Sequence, residues 1–289
     1  MPSSAVSSAS NNVVVAPQIG ADITEALDVK VAPTLALEDL NPSYGLATLR
    51  YAIDTQQRLC SDLSISLFWS PVTFSVLLMV NAAFINYKLA GLTLLQFIKW
   101  DVSGSLHCLI FFMASFAGLL LCCKLQSYFL KEQGDLVEST GAEDQFGVDL
   151  REFISVKKNQ AKKLEQIKVD NAKVAVYRKL PIGMIAYQPV KHDDDKQFEI
   201  TAIGGRKVYI RSGIYEDLLD WVLGDISQAT QGDSFQVSMQ CYSFDSDLKK
   251  LLVAKKFECV KKVKANGIIG TGLFGISKDE YVFKYQKDN

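Results

Sequence analysis

The sequence predicts an α+β protein in which a two-helix transmembrane hairpin precedes a mixed-sheet domain. Two long uncharged segments and one region of alternating strand and helix patterns lead to this prediction. No Asp, Glu, Lys or Arg occurs between Asp62 and Lys88 or between Asp101 and Lys124. Each segment is as long as the run of about 20 apolar residues that a membrane-spanning helix needs. The region after residue 147 alternates short β-type and amphipathic helical patterns, which favours a layered domain of sheet and helices.

The first 62 residues form two segments that differ in composition, residues 1–40 and 41–62. Residues 1–40 are rich in Ser, Ala, Val, Asn and Pro and show no helical period, so we expect them to be disordered. Residues 41–62 place Leu46, Leu49 and Ile53 near helical spacing, which predicts a lead-in helix. The start of the chain has neither the basic region nor the apolar core of a secretory signal. We therefore expect the first span itself to direct membrane insertion.

The two spans, residues 63–124, are expected to form a hairpin because their connector, KLAGLTLLQFIKWD, is too short to hold a domain. Both termini then lie on one side of the membrane. The outer flanks carry more Lys and Arg than the connector does, which predicts that this side is the cytosol. Inside the spans, Asn81 and His107 are expected to hydrogen-bond between helices. Cys122 and Cys123 are either S-acylated or pack as small apolar side chains.

Composition argues against several classes of function. The net charge of −1 gives no basic surface for nucleic acid, so we expect no nucleic-acid partner. The chain has two histidines, and its six cysteines show no C-x-x-C spacing, which argues against a zinc site or a disulfide framework. It contains no G-x-S-x-G or Walker-type loop. With two histidines in the chain, few residues could act as the base of a hydrolase triad. No metal site is predicted.

A polar linker over residues 125–147 is followed by the soluble domain, residues 148–289. We expect the domain to lie in the cytosol. Its predicted elements are an amphipathic helix (150–168), a β-hairpin (173–190), a strand (198–205), a helix from Gly213 or Ile214 to about Gln228, the strand SFQVSMQC, the helix SDLKKLLVAKK and the final strands within FECVKKV and IIGTGLFGISKDEYVFKY.

This order of elements, with the segments PIGMIAYQP, YIRSGIYEDLLDWVL and LKKLLVAKKFECV, resembles the GNAT superfamily of N-acetyltransferases over roughly residues 148–285. In that superfamily a Q/R-x-x-G-x-G/A loop after the fourth strand holds the coenzyme A pyrophosphate on backbone amides at a helix N-terminus. A membrane hairpin ahead of such a domain resembles the ER-anchored members. The resemblance implies an acetyltransferase-like mixed sheet, with acetyl-CoA as cofactor where the loop is functional.

The loop of this chain departs from that pattern. An isoleucine stands where Gln or Arg belongs, Gly213 is kept, and Tyr215 replaces the small residue that lets the pyrophosphate approach. A tyrosine there either blocks the groove or points away from it. Glu216 and Asp217 occupy the first helical turn, where they compete with a phosphate for the positive helix end. Arg211 and Gly213 remain candidate cofactor-binding residues only if acetyl-CoA binds; a simple strand-to-helix turn also explains Gly213.

Catalytic residues are not predicted. By the resemblance, Leu252 stands where the superfamily has its general-acid tyrosine, and Lys256 stands where it has a glycine, whereas Phe257 matches. Glu199 begins a strand near the place of a general base, but the sequence assigns it no partner for proton transfer. His192 lies in a loop with three aspartates that could hold a hard cation or simply be solvated.

We therefore expect a non-catalytic membrane protein of the endoplasmic reticulum that assists folding or ER exit of a membrane transporter. The layout resembles that of fungal packaging chaperones for an inorganic phosphate transporter, which implies an integral membrane client and the lipid bilayer as partners. The alternative is an ER-anchored N-acetyltransferase that uses acetyl-CoA; a structural subunit of a lipid-synthesis complex is a third reading. An open gap between strands 198–205 and 234–241 would favour the transferase, and a gap filled by Tyr215 or Leu252 would favour the chaperone.

Overall fold

A computed structural model of the chain describes residues 35–88, 102–155, 169–190, 196–265 and 274–286. Within these residues one seven-stranded sheet has the order β1-β2-β3-β4-β5-β7-β6. Only β4 and β5 pair in parallel; the other neighbours are antiparallel. The predicted mixed sheet is confirmed. The strands are β1 (Leu35–Leu40), β2 (Val169–Tyr177), β3 (Leu180–Pro189), β4 (Gln197–Gly205), β5 (Phe235–Tyr242), β6 (Glu258–Lys264) and β7 (Ser277–Tyr285).

Helices cover both faces of the sheet. One face packs on α7 and α8, and the other packs on α1, α5 and α6. Alternation along the strands produces the two cores: Ile203 of β4 faces the first, and its neighbour Ala202 faces the second. The helices are α1 (Gly45–Phe68), α2 (Pro71–Lys88), α3 (Val102–Gln126), α4 (Tyr128–Thr140), α5 (Glu143–Phe146), α6 (Leu150–Ser155), α7 (Ile214–Ala229) and α8 (Ser246–Ala254).

The predicted helix after Gly213 is confirmed, and its apolar stripe is the centre of the first core. The buried side chains recur at helical spacing and are all completely shielded from solvent: Leu218, Leu219, Val222 and Ile226. Burying a side chain of this size contributes roughly 1.5–3 kcal/mol relative to leaving it exposed. The stripe fixes α7 against β2, β3 and β5 and so fixes the turn that precedes the helix.

Three segments differ from the sequence-based expectations. Residues 35–40, expected to be disordered, form the edge strand β1, which pairs with β2 and carries the Asp39–Lys173 ion pair. The expected linker is largely helical, because Leu130 and Gly134 of α4 pack on α1. The helix predicted from residue 150 is described only to Ser155, and residues 156–168 lie outside the described part of the chain.

The lead-in helix is longer than predicted and reaches the segment predicted to form the membrane hairpin. Helix α1 extends to Phe68, and α2 begins at Pro71 after a 50° bend. A proline has no N–H to donate to the preceding turn, which explains the break. The Thr73 hydroxyl donates to the Leu67 carbonyl oxygen (2.7 Å) and satisfies one carbonyl at the end of α1. The direction of the chain therefore changes at Trp69 and Ser70.

Helices α2 and α3 pack side by side. The Asn81 side-chain amide donates to the Ser115 hydroxyl oxygen (Nδ2···Oγ 3.0 Å), so the expected interhelical bond of Asn81 is confirmed. The rings of Phe84 and Phe111 stack with centroids 3.8 Å apart. The connector, residues 89–101, lies outside the described residues. By length and composition, the stretch Ser105–Thr140 is able to cross a membrane, and α1 with α2 passes the same test only as a bent pair.

Candidate functional site

The turn before α7 is built on Gly213. A 3₁₀ turn (Ile210–Ser212) leads into Gly213, whose φ of 90° lies in the left-handed region that favours glycine. A Cβ added there would meet no atom within 4 Å, so backbone conformation rather than crowding explains the glycine. Arg211 lies in the 3₁₀ turn, and its side chain is outside the described part of the structure.

Tyr215 is a core residue. Its side chain is 5% exposed and fills the space between β4, α7 and α1. The Arg58 guanidinium of α1 donates to the Tyr215 hydroxyl oxygen (Nη1···Oη 3.4 Å). Burial raises the pKa of Tyr215, and the Arg58 charge only partly offsets this effect. The tyrosine therefore ties α7 to α1, a role that the sequence did not indicate.

A cavity of about 530 Å³ opens at the N-terminus of α7, beside Gly213. Its charged lining is mixed: Asp62, Glu216, Asp245 and Asp247 are acidic, and Arg58, Lys207 and Lys250 are basic. Glu216 also forms an ion pair with Lys255 (2.9 Å). A diphosphate needs an excess of positive potential, and acidic residues at a helix N-terminus compete for the helix dipole. The cavity is therefore poorly matched to a pyrophosphate group.

A gap between β4 and β5 is present. The strands pair in parallel only from Gln197–Ile200 with Gln236–Met239 and then separate around a cavity of about 330 Å³. Neither Tyr215 nor Leu252 lines this cavity. Residues of α1, including Thr55 and Leu59, and Gln133 of α4 line it together with the strands. Of the two outcomes distinguished from the sequence, the structure therefore shows the gap that Tyr215 and Leu252 do not fill, which favours the transferase.

Contact between α1 and the sheet is close at this point. A Cβ at Gly204 would lie 2.8 Å from the Thr55 hydroxyl oxygen and 3.1 Å from the Tyr51 carbonyl oxygen. The Tyr51 hydroxyl donates to the Pro181 carbonyl oxygen (2.6 Å) in a buried site. A glycine in β4 therefore allows the helix backbone to lie directly on the strand.

The remaining candidate residues are dispersed. Glu199 lines the β4–β5 cavity and accepts a hydrogen bond from the Gln240 amide (Nε2···Oε1 3.1 Å). Leu252 and Phe257 are buried in the first core. Lys256 has a φ of 64°, a left-handed conformation suited to a glycine at that position. His192 lies outside the described residues. Among the residues that are described, no group of three His, Cys, Asp or Glu side chains could hold a metal ion.

Asp245 was missed by sequence reasoning, although it precedes the helix pattern SDLKKLL. Its carboxylate accepts from the Leu248 backbone N–H (3.2 Å) and caps α8. Burial raises the pKa of Asp245, the cap and Arg58 lower it, and Asp62 and Asp247 raise it further. Asp245 lines both cavities and lies at the boundary between α1 and the sheet domain.

Comparison with protein families matches residues 17–284 to the family described as "Inorganic phosphate transporter chaperone Pho86". The chain belongs to the Pho86 family. That match covers the hairpin as well as the sheet domain, so the two parts occur together in the family. The comparison with curated proteins gave no match.

Solved structures similar to this chain are acetyltransferases. A putative GNAT-family acetyltransferase from Desulfovibrio desulfuricans is 13% identical, with a TM-score of 0.34, over 47% of this chain and 81% of that chain. Arabidopsis thaliana Naa50, in complex with a bisubstrate analogue, is 21% identical, with a TM-score of 0.32, over 46% of this chain and 80% of that chain. Scores of this size carry no argument about activity in the Pho86 family.

The pKa of Asp245 predicts a pH-dependent effect of Asp245→Asn, which keeps a capping oxygen but removes the charge. The pKa of Asp245 is higher in the folded chain than in the unfolded chain, where it is about 4. Asp245 therefore contributes its full stability below about pH 4, where the carboxyl is protonated. This contribution falls as the pH rises through the pKa of the folded chain. The melting temperature of Asp245→Asn relative to the wild-type chain should therefore rise between about pH 4 and about pH 7.

Thermal unfolding of the full chain in detergent measures this difference at both pH values. Asp135→Asn is the control, because Asp135 is an exposed carboxylate of α4 and is not among the groups that shift the pKa of Asp245. The quantity compared is the melting temperature of Asp245→Asn minus that of the wild-type chain. If it stays constant or falls as the pH rises, the raised pKa of Asp245 is contradicted.

Proposed function

We propose that this Pho86-family protein is a non-catalytic accessory protein of the endoplasmic reticulum membrane that assists folding or ER exit of an inorganic phosphate transporter. The family match supports the client class. The observation that carries the proposal is the apolar outer surface of α2 and α3. Many large apolar side chains on the two helices are at least half exposed, including Phe74, Leu78, Met79, Leu109 and Met113.

An apolar surface of this kind fits a lipid environment. Soluble monomers rarely expose large contiguous apolar patches, and such patches mark membrane or protein contacts. Helix α2 has 18 residues and is about 27 Å long, close to the hydrocarbon thickness of a bilayer. Exposed aromatic residues flank it, Trp69 before the helix and Tyr87 at its end. These features support a span with the folded domain on one side.

The hairpin also supplies a surface for a membrane client. Lipid tails are as apolar as leucine, so helices associate in membranes through close packing and hydrogen bonds. Asn81 and Ser115 already satisfy each other between α2 and α3. The hydrogen bond therefore joins α2 to α3, and the outer surfaces of the two helices are available to the spans of a transporter. In this proposal both termini lie in the cytosol and the sheet domain stays at the membrane.

A photo-crosslinking amino acid at exposed positions of the hairpin tests client contact. We expect adducts with the phosphate transporter from Phe74, Leu78, Leu109 or Met113 in cells that express both proteins. Leu77 is the matched control, because it is 5% exposed on the same helix. Equal yields at Leu77 and at its exposed neighbours, or a failure of every exposed position to react, would contradict the proposal.

The β4–β5 gap is the one observation that favours the alternative, an N-acetyltransferase that uses acetyl-CoA. Calorimetry of the full chain with acetyl-CoA and coenzyme A distinguishes the two functions. We expect no binding tighter than about 1 mM, because the cavity beside Gly213 carries mixed charge. Glu216→Gln removes one acidic group of the first helical turn and tests whether repulsion limits affinity. Micromolar binding by the wild-type chain would instead favour the transferase.

A further inference from the structure

Strand β6 is unusual because every one of its residues is exposed. It lies at the end of the sheet and pairs only with β7. Val260 is 61% exposed and Val263 is 48% exposed, although both are apolar. Within the described residues, both faces and the outer edge of β6 are therefore open.

Packing contacts fix the position of β6 relative to the hairpin of α2 and α3. Ala265 directly follows β6, and Phe274 precedes β7; both pack in a cluster with Leu63 and Leu67 of α1 and Cys123 of α3. The Ala265 N–H donates to the Ile276 carbonyl oxygen (3.1 Å), which joins the two strands at this end. The end of the β6–β7 pair is thus held where α1 gives way to α2 and α3 gives way to α4.

That junction has the composition of a membrane interface. Trp69 is 74% exposed, and Tyr128 is 48% exposed. The Lys131 ammonium lies 5.5 Å from the centre of the Tyr128 ring. Exposed Trp and Tyr with nearby Lys are typical of the headgroup zone on either side of a span. The proposed bilayer surface therefore passes close to the packed end of β6 and β7.

The charge at this end of the sheet is positive. Lys261, Lys262 and Lys264 are exposed on β6, and Lys278 is exposed at the start of β7. The nearest acidic residue of β7, Asp279, is buried and forms an ion pair with Lys249 (3.2 Å). Glu280 lies opposite Lys261, and the exposed Glu258 begins β6, so these two carboxylates offset two of the four lysines. A net positive surface remains beside the junction.

We propose that β6 and the adjoining end of β7 lie on the membrane surface and bind anionic lipid headgroups. The inference rests on the proposed insertion of α2 and α3, and it adds a second, electrostatic contact between the sheet domain and the same membrane. Basic residues near a membrane surface each strengthen attraction to anionic lipids about fivefold. The contact orients the sheet domain beside the hairpin.

Hydrogen exchange of the full chain in lipid nanodiscs tests this inference. Discs of phosphatidylcholine alone are compared with discs that also contain about 30% phosphatidylserine, an anionic lipid. We expect amides of Glu258–Lys264 to exchange about fivefold or more slowly in the anionic discs. Reversing the charge of Lys261, Lys262 and Lys264 to Glu should remove the difference. Lys284→Glu is the matched control, because Lys284 is exposed at the opposite end of β7.

The outcomes separate this inference from the proposed function. Equal exchange in both discs, with α2 and α3 protected in both, would overturn the lipid contact and leave the membrane hairpin in place. A chain whose α2 and α3 exchange freely in discs would overturn both. Protection of β6 that needs the transporter and is the same in both lipid mixtures would assign the strand to a protein partner and overturn the lipid contact.

Discussion

The packing of α1 against the sheet and against α4 is the interaction on which the rest of the structure depends. Leu63 and Leu67 are almost fully buried between the helices and the end of the sheet. Earlier in the same helix, Tyr51 is 1% exposed and bonds to the Pro181 carbonyl oxygen. One continuous helix therefore touches the sheet along its length and then enters the hairpin. The position of the sheet domain relative to the hairpin follows from this contact.

The same helix sets the character of the site. The mixed sheet has a gap between β4 and β5, and residues of α1 and α4 line the cavity in that gap. Arg58 brings a guanidinium to Tyr215 and to the cavity beside Gly213, but acidic residues there balance it. The mixed charge of the cavity beside Gly213 favours a scaffold over a cofactor groove. In the proposed function, the sheet domain supports and positions the membrane hairpin.

Local sequence patterns predicted the parts of the fold that depend on neighbouring residues. The α7 stripe, the β2–β3 hairpin and the Asn81 bond between α2 and α3 follow from helical period, strand alternation and a polar group in an apolar segment. Contacts between distant segments were not predicted. Strand β1 pairs with β2 more than a hundred residues later, and Arg58 meets Tyr215 at a separation of 157 residues. No local period encodes such contacts, so the contribution of α1 and α4 to the cavity between β4 and β5 was not predicted.

The most direct test of the account is to uncouple the sheet domain from the hairpin without altering either. Gly-Ser-Gly insertions between Trp69 and Ser70, at the bend between α1 and α2, and between Gln126 and Ser127, where α3 ends and α4 follows, give a flexible joint in both connections. The measurement is the fraction of the inorganic phosphate transporter that leaves the endoplasmic reticulum in cells whose own protein is replaced by the variant. The account predicts a reduced fraction with an unchanged melting temperature of the sheet domain. Full transporter delivery by the uncoupled variant would contradict it.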